Sequence, residues 1–158
     1  MSWAQTLKIN SNMKMPLDKL NFELFYELAK ISNGGYGTRT SQVFIVPDYK
    51  ETINISEYSN YSANVIIIPP SVKRIKTSAF ASCVNLESIN IPDNVTIIEQ
   101  RAFEGCTSLK SVRLPSSIIY MGGLIFPTNV EHIFVPWAEG QISGAPWGAT
   151  NATIHYNS

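Results

Sequence analysis

Two consecutive stretches decide the fold: SVKRIKTSAFASCVNLESINIPD at residues 71–93 and NVTIIEQRAFEGCTSLKSVRLPS at residues 94–116. They align without gaps and share Val, Ile, Ala-Phe, Cys, Leu, Ser and Pro in register. A period of about 22–23 residues continues outward, marked by prolines that each close an apolar strand, at Pro47, Pro69, Pro92, Pro115 and Pro136. Self-similarity of this kind is typical of a solenoid, in which each unit stacks on its neighbours.

Stacking is required because one unit cannot bury its own hydrophobic side. Each unit holds one short strand, a second apolar anchor and a predicted small helical turn at Ala-Phe-x-x-Cys. Equivalent residues then form ladders through the core: Ile75, Ile98 and Met121; Phe80, Phe103 and Phe126; Leu86, Leu109 and Val130; and Ile89, Val112 and Ile133. We predict a strand-rich α/β protein, a solenoid of about four to five coils with an N-terminal helix and an aromatic C-terminal cap.

The shared pattern L-x-x-I-x-I-P-x-x-V-x-x-I-x-x-x-A-F-x-x-C resembles the bacterial surface antigen, or BspA-like, type of leucine-rich repeat. The resemblance covers residues 64–136 well and extends more weakly to residues 42 and 156. It implies a leucine-rich-repeat solenoid that serves as a scaffold for binding, without indicating any one ligand.

Composition excludes several classes of partner. Twelve Lys and Arg balance twelve Asp and Glu, and only 15% of the 158 residues are charged. A neutral chain has no global field that attracts nucleic acid or anionic lipid, and weak repulsion permits a homo-oligomer. The first residues show no secretory signal pattern, and the longest apolar run, residues 65–68, is far shorter than a membrane span. We expect a soluble protein made in the cytosol, with no membrane insertion.

Alternation along each strand predicts which residues point outward onto the sheet face. One predicted row contains Val43, Val65, Ser88, Ser111, His132 and, if residues 154–156 lie in a final strand, Thr153. The other contains Ile45, Ile67, Asn90, Arg113, Phe134 and His155. The apolar first strands need a cover, whereas the later positions form the predicted binding face: Ser88, Asn90, Ser111, Arg113, His132, Phe134, Thr153 and His155.

Residues 16–31, PLDKLNFELFYELAKI, predict a helix with Leu17, Leu20, Leu24, Leu28 and Ile31 at helical spacing. Pro16 begins it and Asn33-Gly34-Gly35 ends it. The helix carries more apolar surface than one packed face requires. It either caps the first strands alone or also meets another chain, which makes the N-terminal region a predicted assembly segment, with Trp3, Leu7, Phe22, Phe25 and Tyr26.

The closing segment departs from the repeat and carries Trp137 and Trp147 among glycines. The two rings either stack on sugars or, as we favour, seal the last coil. The pattern W-A-E-G-x-x-x-x-A-P-W-G-A-T-x-A-T-I-x-Y resembles the end of leucine-rich-repeat proteins from phages and prophages of gut Firmicutes. The opening M-S-W-A-x-T-L-x-I-N-S-N-M is similar to the start of tail-associated proteins of such phages.

Cys83 and Cys106 occupy equivalent positions on neighbouring coils, about 5 Å apart, where a disulfide is geometrically allowed. Two small buried residues in a tight turn are the simpler interpretation. His132 and His155 are the only histidines, and two imidazoles without a placed carboxylate make a weak metal site. We predict no metal.

No nucleophile with a base and an orienting group can be assembled, so we predict no catalysis and no cofactor. Gly34-Gly35-Tyr36-Gly37 lacks the Lys-Ser/Thr of a phosphate loop. The basic cluster of Lys73, Arg74 and Lys76, balanced by Glu87 and Glu99, is interpreted as a solvated coil edge.

Residues 1–40 are therefore assigned to an arm and capping helix, residues 41–136 to the solenoid, and residues 137–158 to a cap. The resemblances imply a non-enzymatic phage virion protein of the tail or baseplate. It would attach to other virion proteins through its N-terminal segment and touch a host-surface protein or glycan through its sheet face. The alternatives are a bacterial cell-surface adhesin or interaction module, which the missing signal peptide disfavours, and a purely structural assembly component.

Overall fold

The computed structural model describes residues 43–157. They form ten short strands: β1 (Val43–Ile45), β2 (Thr52–Ile53), β3 (Val65–Ile67), β4 (Arg74–Ile75), β5 (Ser88–Ile89), β6 (Ile97–Ile98), β7 (Ser111–Arg113), β8 (Tyr120–Met121), β9 (His132–Phe134) and β10 (Thr153–His155). Every paired strand is parallel to its neighbour. The solenoid predicted from the repeat is therefore confirmed, with about five turns.

Each coil alternates between two sides of the solenoid. On one side, β2, β4, β6 and β8 form a four-stranded sheet. On the other, β1, β3 and β5 form one three-stranded sheet, the N-terminal sheet, and β7, β9 and β10 form another, the C-terminal sheet. The side chains between the two sides make the core.

Five of the six strands in the N-terminal and C-terminal sheets, all but β10, lead into a buried aliphatic residue followed by proline. Proline has no N–H to donate, so it ends the ladder and begins a turn. In four coils the same turn follows, because the backbone N–H three residues later donates to the proline carbonyl: Lys50 to Pro47, Val72 to Pro69, Val95 to Pro92 and Ile118 to Pro115. A repeated sequence thus produces a repeated backbone.

The predicted ladders are found in the core. Strand pairing joins Ile53, Ile75, Ile98 and Met121 in register. The rings of Phe80 and Phe103 stack at 5.4 Å and 4°, and those of Phe103 and Phe126 at 5.7 Å and 9°. Tyr58 continues this stack below Phe80 at 5.8 Å. The remaining predicted ladder residues are also buried: Leu86, Leu109, Val130, Ile89, Val112 and Ile133.

The predicted small helical turn at Ala-Phe-x-x-Cys is not a helix, and residues 43–157 contain none. Consecutive tight turns replace it, as in Ala81 N donating to Ser78 O and Cys106 N donating to Phe103 O. In four coils the turn begins at a residue with positive φ: Ser56, Ser78, Arg101 and Leu124. This left-handed residue redirects the chain before a helical hydrogen-bond pattern can propagate.

The closing segment forms a partial further coil. Trp137 and Trp147 are buried and meet edge to face at 6.5 Å, and Trp147 Nε1 donates to Ser143 O. Phe126 N donates to Trp147 O, which attaches this segment to the preceding coil. Gly148 is needed because its φ is +95° and a Cβ there would lie 2.6 Å from Phe126 O. The tryptophans seal the last coil in this structure.

The predictions made for residues 1–40 lie outside the described residues. These are the helix at 16–31, the Gly34-Gly35-Tyr36-Gly37 loop and the assembly segment. The division into arm, solenoid and cap at residues 40 and 136 stays a prediction. Among residues 43–157, no helix is long and apolar enough to cross a membrane.

Candidate binding face

The outward faces of the N-terminal and C-terminal sheets carry the two predicted rows in register. In the C-terminal sheet, Ser111, His132 and Thr153 are successive partners, as are Arg113, Phe134 and His155. In the N-terminal sheet, Val43 faces Val65, and Ile45 faces Ile67. The inward residue of each strand packs in the core, so the flanking residues point the other way.

The two remaining predicted face residues lie at the transition between the sheets. Ser88 is half-buried and pairs with Val65 across β3 and β5. Asn90 is also half-buried, because its side chain bonds the backbone of the previous coil: Oδ1 accepts from Ile68 N at 2.8 Å and Nδ2 donates to Ile68 O at 3.0 Å. Asn90 therefore has a structural role in joining two coils.

Arg113, Phe134 and His155 form a continuous stack across the three strands of the C-terminal sheet. The guanidinium carbon of Arg113 lies 4.9 Å from the centre of the Phe134 ring. On the next strand, His155 stacks on Phe134 with ring centres 4.4 Å apart and an interplanar angle of 11°. Parallel pairing places equivalent residues side by side, and so the rings and the cation meet face to face.

His132 lies diagonally beside this stack and contacts His155 directly. The Nδ1 atom of His132 and the Nε2 atom of His155 are 3.0 Å apart. The sequence places both histidines on the outward face about one coil apart, an arrangement that suggests a metal pair but lacks a placed carboxylate. Although they belong to different rows, the structure brings the two rings into contact.

We call Arg113, His132, Phe134 and His155 the aromatic strip. Arg113, His132 and His155 are exposed, and Phe134 is half-buried. Ser111 and Thr153 flank the strip as exposed neighbours of His132 in the sheet. The strip presents a cation, two imidazoles and an aromatic ring, and the flanking residues add two hydroxyl groups. This combination suits recognition of a polar surface with an apolar element.

The two cysteines offer no accessible nucleophile. Both are unbridged and fully buried, and their Sγ atoms approach backbone carbonyls, Cys83 to Tyr58 O at 3.3 Å and Cys106 to Phe80 O at 3.2 Å. The adjacent Cys83 thiol and burial both raise the pKa of Cys106. Because neither sulfur is accessible to solvent, the simpler interpretation, a pair of small core residues, agrees with this geometry.

The basic cluster is an edge of ion pairs between coils. Lys73 Nζ lies 3.0 Å from Glu51, and Arg74 Nε lies 2.8 Å from Glu99. The acidic partner of Lys73 is therefore Glu51, where the sequence predicted Glu87. Glu99 also accepts from the backbone N–H and the hydroxyl of Thr77, each at 3.1 Å. Partial burial acts to raise the pKa of Glu99, but the hydrogen bonds from Thr77 and Arg74 hold it below its ordinary value.

The sequence matches the family described as BspA type Leucine rich repeat region, in six copies, over residues 29–143. None of the curated proteins compared with the chain matches it.

Solved structures share the fold. A leucine rich cell surface protein from Faecalibacterium prausnitzii is 25% identical with a TM-score of 0.64, over 73% of this chain and 32% of its own. The pneumococcal vaccine antigen PcpA is 20% identical with a TM-score of 0.59, over 73% and 31%. A leucine-rich repeat protein from Bacteroides ovatus is 22% identical with a TM-score of 0.59, over 70% and 30%.

The matched part of each of these three structures is about a third of that protein's length. Proteins built from this repeat are typically non-enzymatic binding modules, and many lie on bacterial surfaces. The match over residues 29–143 and the ladders of the core lead to the same conclusion: the chain belongs to the BspA-type leucine-rich repeat family.

Proposed function

We propose that this protein is a non-enzymatic attachment protein that binds a protein or glycan at a cell surface through the outward face of its C-terminal sheet. The observation that carries the proposal is the exposed stack of Arg113, Phe134 and His155. The stack lies on the outward face of the C-terminal sheet, whose side chains do not pack into the core.

The chemistry of the strip supports contact with a macromolecule. Arginine and aromatic residues are enriched where binding energy is concentrated, because each combines a large apolar area with a directional polar group. In this strip each member is held by its neighbours, so little side-chain entropy is lost on binding. An aromatic ring and a guanidinium fork also suit a sugar face that bears an acidic group.

The more specific proposal is that the protein is part of a phage virion. Its support is the resemblance of residues 137–156 and of residues 1–13 to segments of phage proteins from gut Firmicutes. In that setting the predicted assembly segment (Trp3, Leu7, Phe22, Phe25 and Tyr26) attaches the protein to the tail or baseplate, and the solenoid faces the host.

A bacterial surface setting is the second candidate. Its support is the likeness to a structure described as a leucine rich cell surface protein, from Faecalibacterium prausnitzii. The aromatic strip has the same role in both settings. A purely structural role in an assembly is the third candidate, and it predicts that the strip can be changed without consequence.

Binding of the labelled full chain to intact cells of gut Firmicutes, and to an array of bacterial and mammalian glycans, tests the proposal. Arg113→Asn and Phe134→Ala should each lower binding at least about tenfold, as expected of central interface residues. Arg101→Asn is the matched control, because it removes one exposed arginine away from the face, and Asn tolerates the positive φ of 59° at that position.

Equal binding by all variants, with melting temperatures unchanged, would contradict the sheet-face proposal and favour the structural role. The setting is decided separately, by immunogold labelling of phage particles induced from a host that carries the gene and of the cells themselves. Label on tails supports the virion, and label on uninfected cells supports the bacterial surface.

A further inference from the structure

The nitrogen–nitrogen distance between His132 and His155 matches that of a ligand pair for a metal ion. Each nitrogen of such a pair lies 2.0–2.1 Å from the ion, and at an angle of about 90–110° the two nitrogens are then about 2.9–3.4 Å apart. The observed distance between His132 Nδ1 and His155 Nε2 is 3.0 Å. Both rings are exposed, so an ion can reach them from solvent.

The surroundings hold the two imidazoles in this arrangement. His132 lies on β9 opposite Thr153, and His155 lies on β10 opposite Phe134, in a parallel register. The Phe134 ring stacks on His155 at 4.4 Å and restricts its rotation. Ligands fixed in advance bind more tightly, because less freedom is lost when the ion arrives.

The nearby positive charge is kept at a distance from the pair. Arg113 lies on β7 and His155 on β10, with Phe134 of β9 between them in the same row. The Arg113 guanidinium packs on the Phe134 ring, 4.9 Å from its centre. The aromatic ring therefore lies between the fixed cation and the imidazole of His155.

We propose that His132 Nδ1 and His155 Nε2 bind one divalent transition-metal ion, with Zn²⁺ as the representative of the ions that prefer imidazole. Residues 43–157 contain no group of three His, Cys, Asp or Glu side chains that could hold a metal. The remaining positions on the ion are therefore filled by water or by an oxygen or nitrogen of a bound partner. The inference does not depend on the proposed function, since the pair binds the ion without a partner.

Calorimetric titration of the untagged full chain with ZnCl₂ tests the proposal directly. The two histidines are the only ones in the chain, and both cysteines are buried, so competing soft ligands are few. We expect one ion per chain. His132→Asn and His155→Asn should each weaken the affinity for Zn²⁺ at least about tenfold. Removing a residue that only supports a metal ligand already costs about that much, so removing the ligand itself should cost no less. Arg101→Asn is the matched control, because Arg101 is exposed and lies outside the aromatic strip, and it should retain the ion.

Electron paramagnetic resonance with Cu²⁺ in place of Zn²⁺ supplies a readout that depends on the ligands themselves. Hyperfine coupling to two nitrogens in the wild type, and to one in each single variant, supports the proposal. Zn²⁺ binding that is equal in the wild type and the double variant would overturn it. The 3.0 Å contact would then be a hydrogen bond between the two rings and nothing more.

Discussion

The N-terminal and C-terminal sheets have the same backbone and differ in what they present outward. Across β1 and β3 the outward rows are Val43, Val65, Ile45 and Ile67, all aliphatic. Across β7, β9 and β10 the corresponding rows contain hydroxyls, imidazoles, a ring and a guanidinium. The inward positions carry the repeat in both sheets. The exposed outward positions of the C-terminal sheet are therefore free to vary without loss of the fold, and function is expected to reside there.

The earlier and later coils also differ in the polar contacts that join each coil to the next. Within residues 43–157, the ion pairs Lys50 with Glu57, Lys73 with Glu51 and Arg74 with Glu99 all join residues before 100. Later coils are joined by amides that donate to backbone carbonyls, such as Asn129, which reaches Cys106 O, Thr107 O and Leu109 O. Acid should therefore loosen the earlier coils before the later ones.

The largest expected effect is at the centre of the aromatic ladder, where the two halves of the solenoid meet. Phe103→Ala should lower the free energy of unfolding by about 3–5 kcal/mol, because Phe80 and Phe126 each lose a stacked partner and a cavity remains. Denaturant unfolding measures this. A melting temperature close to that of the wild type would show that the ladder does not join the coils.

A smaller loss is expected on the aliphatic side of the comparison. Ile67 points outward and lies outside the core cluster, yet it is only 1% exposed. Ile67→Ala should cost about 2–4 kcal/mol, as for a core residue. On the opposite half, Arg113→Asn should stay within about 0.5 kcal/mol, because it is exposed. Similar losses in thermal melts of the two variants would remove the distinction between the sheets.

The closing coil supplies a third comparison, between two glycines. Gly148→Ala should cost about 1–3 kcal/mol, since its φ is +95° and the new Cβ would meet backbone of Phe126 and Leu124. Gly123→Ala is the control, because nothing lies within 4 Å of a Cβ there. Tryptophan fluorescence follows the effect on Trp147. An unchanged spectrum and stability in Gly148→Ala would mean that the cap adapts freely.

The smallest effect is the acid dependence of the earlier coils. The folded pKa of Glu99 is depressed, so its contribution to stability is present above the ordinary carboxyl pKa and is lost as pH falls through the folded value. Glu99→Gln should cost about 1 kcal/mol at pH 7 and nearly nothing in strong acid. Hydrogen exchange at Thr77 N as a function of pH measures it. A variant with the same loss at all pH values would exclude a charge-dependent contact.

Particular positions show how far sequence reasoning reaches in this protein. The register of β4 on β6 follows from gap-free alignment, because stacked copies place equal positions side by side. The register of β7 on β9 follows from the prolines that close the strands, Pro115 and Pro136, because the next copy is two residues shorter. The use of Asn90 to bond Ile68 could not be predicted, since the same amide also suits a ligand. The contact of His132 with His155 crosses the two rows, and it depends on rotamers that the repeat does not specify.

The repeat by itself determined the solenoid, the period of its coils, the residues of the core and the two rows of the outward face. It could do so because burial of equivalent positions is a property of the pattern and holds in every coil. Only the tertiary structure decided that tight turns replace the expected helical ones, that both tryptophans are buried, and that Arg113, Phe134 and His155 stack. Those outcomes depend on left-handed backbone residues and on side-chain packing between coils, and a one-dimensional pattern records neither.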